Sequence, residues 1–126
     1  MACSLYIMER TILYIDAGLD ISPVNIYDAT DYIYVSEKNL FDDFTTIMQK
    51  HDWKMHTSAI YYNNIFCAEY YKEDKKLIYF FNINFPNDLH TITKNRKYSI
   101  ILVHNQSYMD YILECFPNLS NKLICI

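Results

Sequence analysis

A thiol or hydroxyl becomes a nucleophile only beside a base, so the four cysteines and four histidines are the first residues to weigh. Cys67 with His104, and Cys115 with His90, are the pairs the chain could bring together. Strand periodicity places Cys67 inside a β-strand, where a thiol packs rather than reacts. Cys3, Cys67, Cys115 and Cys125 lie far apart and form no CxxC pair, so they read as reduced, buried thiols rather than as disulfides or zinc ligands. His51, Trp53 and His56 bracket the end of a predicted helix. A histidine there complements the negative end of the helix dipole, whereas a spacing of five across a helix-to-strand junction lacks the i, i+4 geometry of paired metal ligands. Asp16, Asp20, Asp28 and Asp31 share one loop with Gly18, the only glycine in the chain. Carboxylates around a tight turn can hold a hard cation, but this spacing matches no EF-hand and the four read as solvated. A single glycine also rules out GxGxxG and P-loop phosphate cradles. The residue types therefore predict no catalytic, cofactor-binding or metal-ligating set.

The 13 tyrosines are the other chemical resource. Tyr61, Tyr70 and Tyr71 alternate with Tyr62, Phe66, Tyr79 and Phe81 along three predicted strands, so one covered sheet face cannot hide them all. Two readings follow. In one, helices cover one face and the hydroxyls reach water from the other. In the other, the uncovered tyrosines are a protein-binding surface, since Tyr is favoured at interface hot spots. On the second reading Tyr62, Tyr70 and Tyr79 form one exposed patch that takes a protein partner or a second copy of the chain.

The elements that position these residues follow from apolar periodicity. Alternation over 4–8 and 11–16 predicts one long strand or two short ones. Residues 16–31 read as an irregular acidic connection holding at most a short turn, and 32–35 as a brief strand. Ser36 reads as the N-cap of a helix over 37–51, whose Leu40, Phe41, Phe44, Ile47 and Met48 form one apolar stripe opposite Lys38, Asp42, Asp43, Thr46 and Lys50. Runs at 57–62, 65–71 and 76–83, separated by Asn63-Asn64 and by Lys72-Glu73-Asp74-Lys75, predict an antiparallel meander. A weak helical turn follows Pro86. Tyr98 to Val103 is a continuous apolar run of the kind found in a central strand covered on both faces. Met109, Ile112, Leu113 and Phe116 then predict a helix over 106–116, and 122–126 a last strand, giving a parallel β-α-β unit. The expected fold class is α+β: a single domain with a mixed or antiparallel sheet of about six strands, an antiparallel meander, two main helices and a C-terminal β-α-β unit.

A length of 126 residues is one ordinary domain. A formal charge of −4 argues against a surface that tracks phosphates, so no nucleic-acid partner is expected. The first residues lack the cationic start of a signal peptide, and no apolar run approaches a bilayer span of about 20 residues, so a cytoplasmic protein with no membrane partner is expected.

One glycine is far below the usual share of about 7%, while Ile, Asn, Lys and Tyr, whose codons are AT-rich, are abundant. With runs such as Asn63-Asn64-Ile65-Phe66-Cys67 and Tyr79-Phe80-Phe81-Asn82-Ile83-Asn84, the chain resembles in composition the small accessory proteins of AT-rich large DNA viruses, orthopoxviruses above all. That resemblance implies non-catalytic binding of a host or viral protein in the host cytoplasm. By element order, and by Ile101-Leu102-Val103-His104-Asn105 leading into Tyr108-Met109-Asp110-Tyr111-Ile112, the chain also resembles the GCN5-related acetyltransferases. The alternative that this implies is an enzyme or pseudo-enzyme with a degenerate acetyltransferase-like fold, Asn105 standing where the family has an asparagine. The family binds the pyrophosphate of acetyl-coenzyme A on a Gly-rich loop, and here that loop reads Asn82-Ile83-Asn84-Phe85-Pro86-Asn87-Asp88, without glycine.

Overall fold

The computed structural model describes residues 10–16, 18–62, 65–94 and 98–125, with the side chains of 57–62 and 125 excepted. The expectation of a strand over 4–8 lies outside the described residues. Among the described residues seven strands form one mixed sheet: β1 (Thr11–Ile15), β2 (Asp31–Val35), β3 (Lys54–Tyr62), β4 (Ile65–Lys72), β5 (Lys75–Phe80), β6 (Ile100–Val103) and β7 (Leu123–Cys125). Their spatial order is β3, β4, β5, β2, β1, β6, β7. The meander β3-β4-β5 is antiparallel, and β5, β2, β1, β6 and β7 pair in parallel. The mixed sheet with its meander and C-terminal strand-helix-strand unit thus stands, one strand larger than the count of about six.

The parallel block explains the unbroken apolar runs. Ile12 to Ile15, Tyr32 to Val35 and Ile101 to Val103 are buried throughout, as strands covered on both faces must be. On one face Tyr14, Tyr32, Tyr34, Leu77 and Tyr79 meet α1 (Ser22–Ile26) and α2 (Phe41–Lys50) through Val24, Phe44 and Met48. On the other face Leu13, Ile33, Ile78, Phe80 and Val103 meet α3 (Asn87–Thr93) and α4 (Gln106–Cys115) through Leu89, Ile92, Tyr108 and Ile112. A short 3-10 helix (Pro117–Lys122) leads into β7.

Three local expectations are corrected. β6 is not central: it pairs with β1 and β7, and β2 occupies the middle of the sheet. The acidic connection folds as α1, because Pro23 presets the helical φ at its first turn and Asp20 Oδ1 accepts from the Ser22 amide at 2.9 Å. The second helix begins at Phe41 and not at Glu37. The intervening backbone is committed elsewhere: the Ser36 and Lys38 carbonyls accept from the Ile83 and Asn82 amides, and the Leu40 amide donates to the Tyr79 hydroxyl. The Ser36 hydroxyl accepts from the Lys38 amide at 3.0 Å, a local turn rather than a helix cap.

Candidate functional site

Parallel strands end on a common edge, and the connections that leave the neighbouring strands β1 and β6 there run to opposite sides of the sheet, β1 to β2 and β6 to β7, a reversal of direction. From β1 the chain steps to β2, crosses to the far edge at β3, runs back inward through β4 to β5, and then passes β2 and β1 to reach β6 and β7. In open sheets of this connectivity the crevice outside the carboxyl ends at that reversal is the usual ligand position. Backbone bonds extend the ladder just beyond it: the Asp16 amide donates to the Val35 carbonyl at 2.9 Å, and the His104 amide to the Ile15 carbonyl at 3.3 Å. Asp16, Ser36 and His104 therefore stand side by side on the sheet rim. Asp16 has a left-handed φ of 63°, a conformation tolerated by Asp and concentrated at functional sites.

Two hydrogen-bonded clusters flank this rim. On the α1 face the Tyr14 hydroxyl donates to Asp20 Oδ2 at 3.3 Å and is also hydrogen-bonded to His104 Nε2. The Tyr14 and His104 rings are nearly parallel, with centroids 5.2 Å apart. Burial and then the Asp20 charge push the Tyr14 hydroxyl well above the ordinary tyrosine range. Burial works against ionisation of Asp20, but bonds from Ser22 and Tyr14 and the charge of His104 outweigh it and hold the carboxyl below its ordinary value. On the α4 face the Tyr108 hydroxyl donates to Glu37 Oε1, with Phe85 edge-on to the Tyr108 ring at 4.2 Å. Burial, the Glu37 bond and charge, and the Asp16 charge raise Tyr108 strongly.

Beneath the first cluster, Tyr34 packs against Tyr14 at 5.3 Å and Phe44 at 5.5 Å. Its hydroxyl is buried and has no hydrogen-bond partner among the described residues. Burial, and then Asp20, push it far up. The rim thus gathers three carboxylates, one imidazole and tyrosine hydroxyls. Among the described residues none of Asp16, Asp20 and Glu37 is ion-paired, and no group of three or more His, Cys, Asp or Glu is arranged to hold a metal ion.

The sequence-predicted residues are distributed differently. Tyr70 and Tyr79 are 0% and 1% exposed, packed on Phe44 under α2, so neither lines a free surface. Their hydroxyls bond to Thr45 and to the Leu40 amide, which is how a half-polar side chain is accommodated in a core. The Tyr62 side chain lies outside the described ones. Cys67 is buried in β4, four strand spacings and roughly 19 Å from the His104 end of β6. His90 stacks on Phe116, and Cys115 interacts with Tyr111. The acidic loop is divided: Asp16 and Asp20 stand at the carboxyl edge, while Asp31 begins β2 opposite Thr11, roughly 16 Å away. Trp53 is buried against Tyr32, and with Gln49, Asp52, Lys54 and Met55 it lines a separate open concavity of about 440 Å³. Asn105 caps α4, its Oδ1 accepting from the Ser107 amide at 2.8 Å. In the glycine-free segment that stands in place of the acetyltransferase loop, the amides of Asn82, Ile83 and Asn84 already donate to Lys38, Ser36 and Asp88.

Sequence reasoning missed Tyr14, Tyr34, Glu37 and Tyr108. Asp16 and His104 are legible as polar residues that follow strands and Asp20 as a carboxylate of the acidic loop, and what joins them is the strand order. No family model matches the chain, and neither does any curated protein or solved structure.

Proposed function

We propose that this protein acts by binding a small ligand at the rim formed by the carboxyl ends of β1, β2 and β6. The observation that carries this reading is that the Asp20–Tyr14–His104 and Glu37–Tyr108 clusters flank the ends of β1 and β6, neighbouring parallel strands whose connections leave to opposite sides of the sheet. The ligand is neutral or cationic and presents hydrogen-bond donors, because unpaired carboxylates repel a phosphate and accept from hydroxyl or amine groups. The committed amides of 82–84 and the capping role of Asn105 weigh against the acetyl-coenzyme A alternative.

A thermal-shift panel of nucleosides, free sugars, polyamines and their phosphorylated counterparts tests the reading. Stabilisation is expected from unphosphorylated compounds, and it should be lost in Asp16→Asn and Glu37→Gln. Tighter binding of the phosphorylated compounds, or undiminished binding by both variants, would contradict it.

A further inference from the structure

The protons of the first cluster have one consistent arrangement. Tyr14 carries a single hydroxyl hydrogen, and Asp20, ionised at neutral pH, can only accept. If that hydrogen pointed at His104, the Asp20 carboxylate and the Tyr14 oxygen would face each other at 3.3 Å with nothing between them. With the Tyr14 hydrogen directed at Asp20, the Tyr14 oxygen accepts from Nε2–H, and both bonds are made. The ring nitrogen bonded to Tyr14 is therefore the donor, Nε2–H, and in the neutral tautomer that keeps this bond the lone pair is on Nδ1, since the bond at one ring nitrogen fixes the role of the other. His104 is exposed on the rim beside Asp16.

We propose that His104 Nδ1 is the proton acceptor of this rim toward a hydroxyl group of the bound ligand, with Tyr14 and Asp20 as positioning residues. This rests on the ligand-binding reading above and adds the chemistry of one atom. In the step itself, the Nδ1 lone pair takes the hydroxyl proton and the O–H bonding pair stays on the ligand oxygen. The ring becomes an imidazolium that still donates from Nε2 to Tyr14, and through it faces the Asp20 carboxylate. Return of the same proton restores the starting state. A chain of this kind orients the base and stabilises its charged form, as the third member of a nucleophile-base-carboxylate set does.

Two ligand-free measurements on the whole chain test the proposal. Nitrogen-15 correlation spectra of the imidazoles should show a slowly exchanging His104 proton on Nε2, lost in Tyr14→Phe. Acylation by diethylpyrocarbonate should be several-fold faster at His104 than at His51, His56 and His90, which are likewise exposed, and Asp20→Asn should abolish that advantage while leaving the other three rates unchanged. A proton on Nδ1 in the unaltered protein, or a His104 rate no faster than the others, would overturn it. Because neither measurement uses a ligand, failure of the compound panel and failure of this assignment are told apart.

Discussion

Asp20 is exposed, yet its surroundings favour the ionised form. A carboxyl whose pKa is lower in the folded than in the unfolded chain contributes stability above its unfolded value of 3.8, and that contribution disappears as pH falls through the lower folded value. Denaturant titrations between neutral pH and pH 3 should therefore show an acid-induced loss of stability that is smaller in Asp20→Asn; identical acid limbs would mean that the Tyr14 and Ser22 bonds do not act on this group. Tyr34 gives the opposite kind of test. A buried hydroxyl without a partner is desolvated without return, so Tyr34→Phe is expected to be neutral or stabilising by about 1 kcal/mol. A loss larger than that in chemical denaturation would reveal a bond to the hydroxyl.

At the scale of elements, α2 is the clearest case. Phe44 is 0% exposed and contacts Tyr34, Tyr70 and Tyr79, so Phe44→Ala should cost about 3 to 5 kcal/mol, as truncation of a fully buried aromatic does. A cost below about 1 kcal/mol, typical of surface positions, would remove the helix from the sheet. The stripe that predicts this helix is local information, and so are the meander turns and the apolar runs of β1, β2 and β6; all were legible. Sheet order is not local. Nothing in the sequence between Ile15 and Val103 says that these strand ends adjoin, so His104 and Asp16 read as unrelated loop residues. The tyrosines misled for a related reason: the strand pairing puts Tyr14, Tyr32, Tyr34, Tyr70 and Tyr79 on one face, under α1 and α2, where they are core residues whose hydroxyls, except that of Tyr34, find partners.

The whole molecule carries this tyrosine core as a shared titration. Burial raises Tyr14, Tyr34 and Tyr108 strongly and pushes Tyr70 up to about 12, from an ordinary 10.0. Groups raised in the folded state lend stability that is complete below pH 10 and lost as pH climbs through the folded values, because the unfolded chain releases those protons first. Ultraviolet titration of tyrosinate should thus show one early exposed fraction, and then a second fraction that ionises together with loss of the far-ultraviolet circular dichroism signal. A single smooth titration of all tyrosines with the fold intact would show that the core is open to water.

The central claim is that the strand ends of β1, β2 and β6 form the ligand site, and amide chemical-shift mapping tests it most directly. With the best-stabilising compound of the panel added stepwise to the labelled chain, the largest shifts are predicted at Asp16, Gly18, Asp20, Glu37 and His104, with little change at Gln49 to Met55. Saturable shifts centred on the Trp53 concavity, with the sheet rim unmoved, would contradict it.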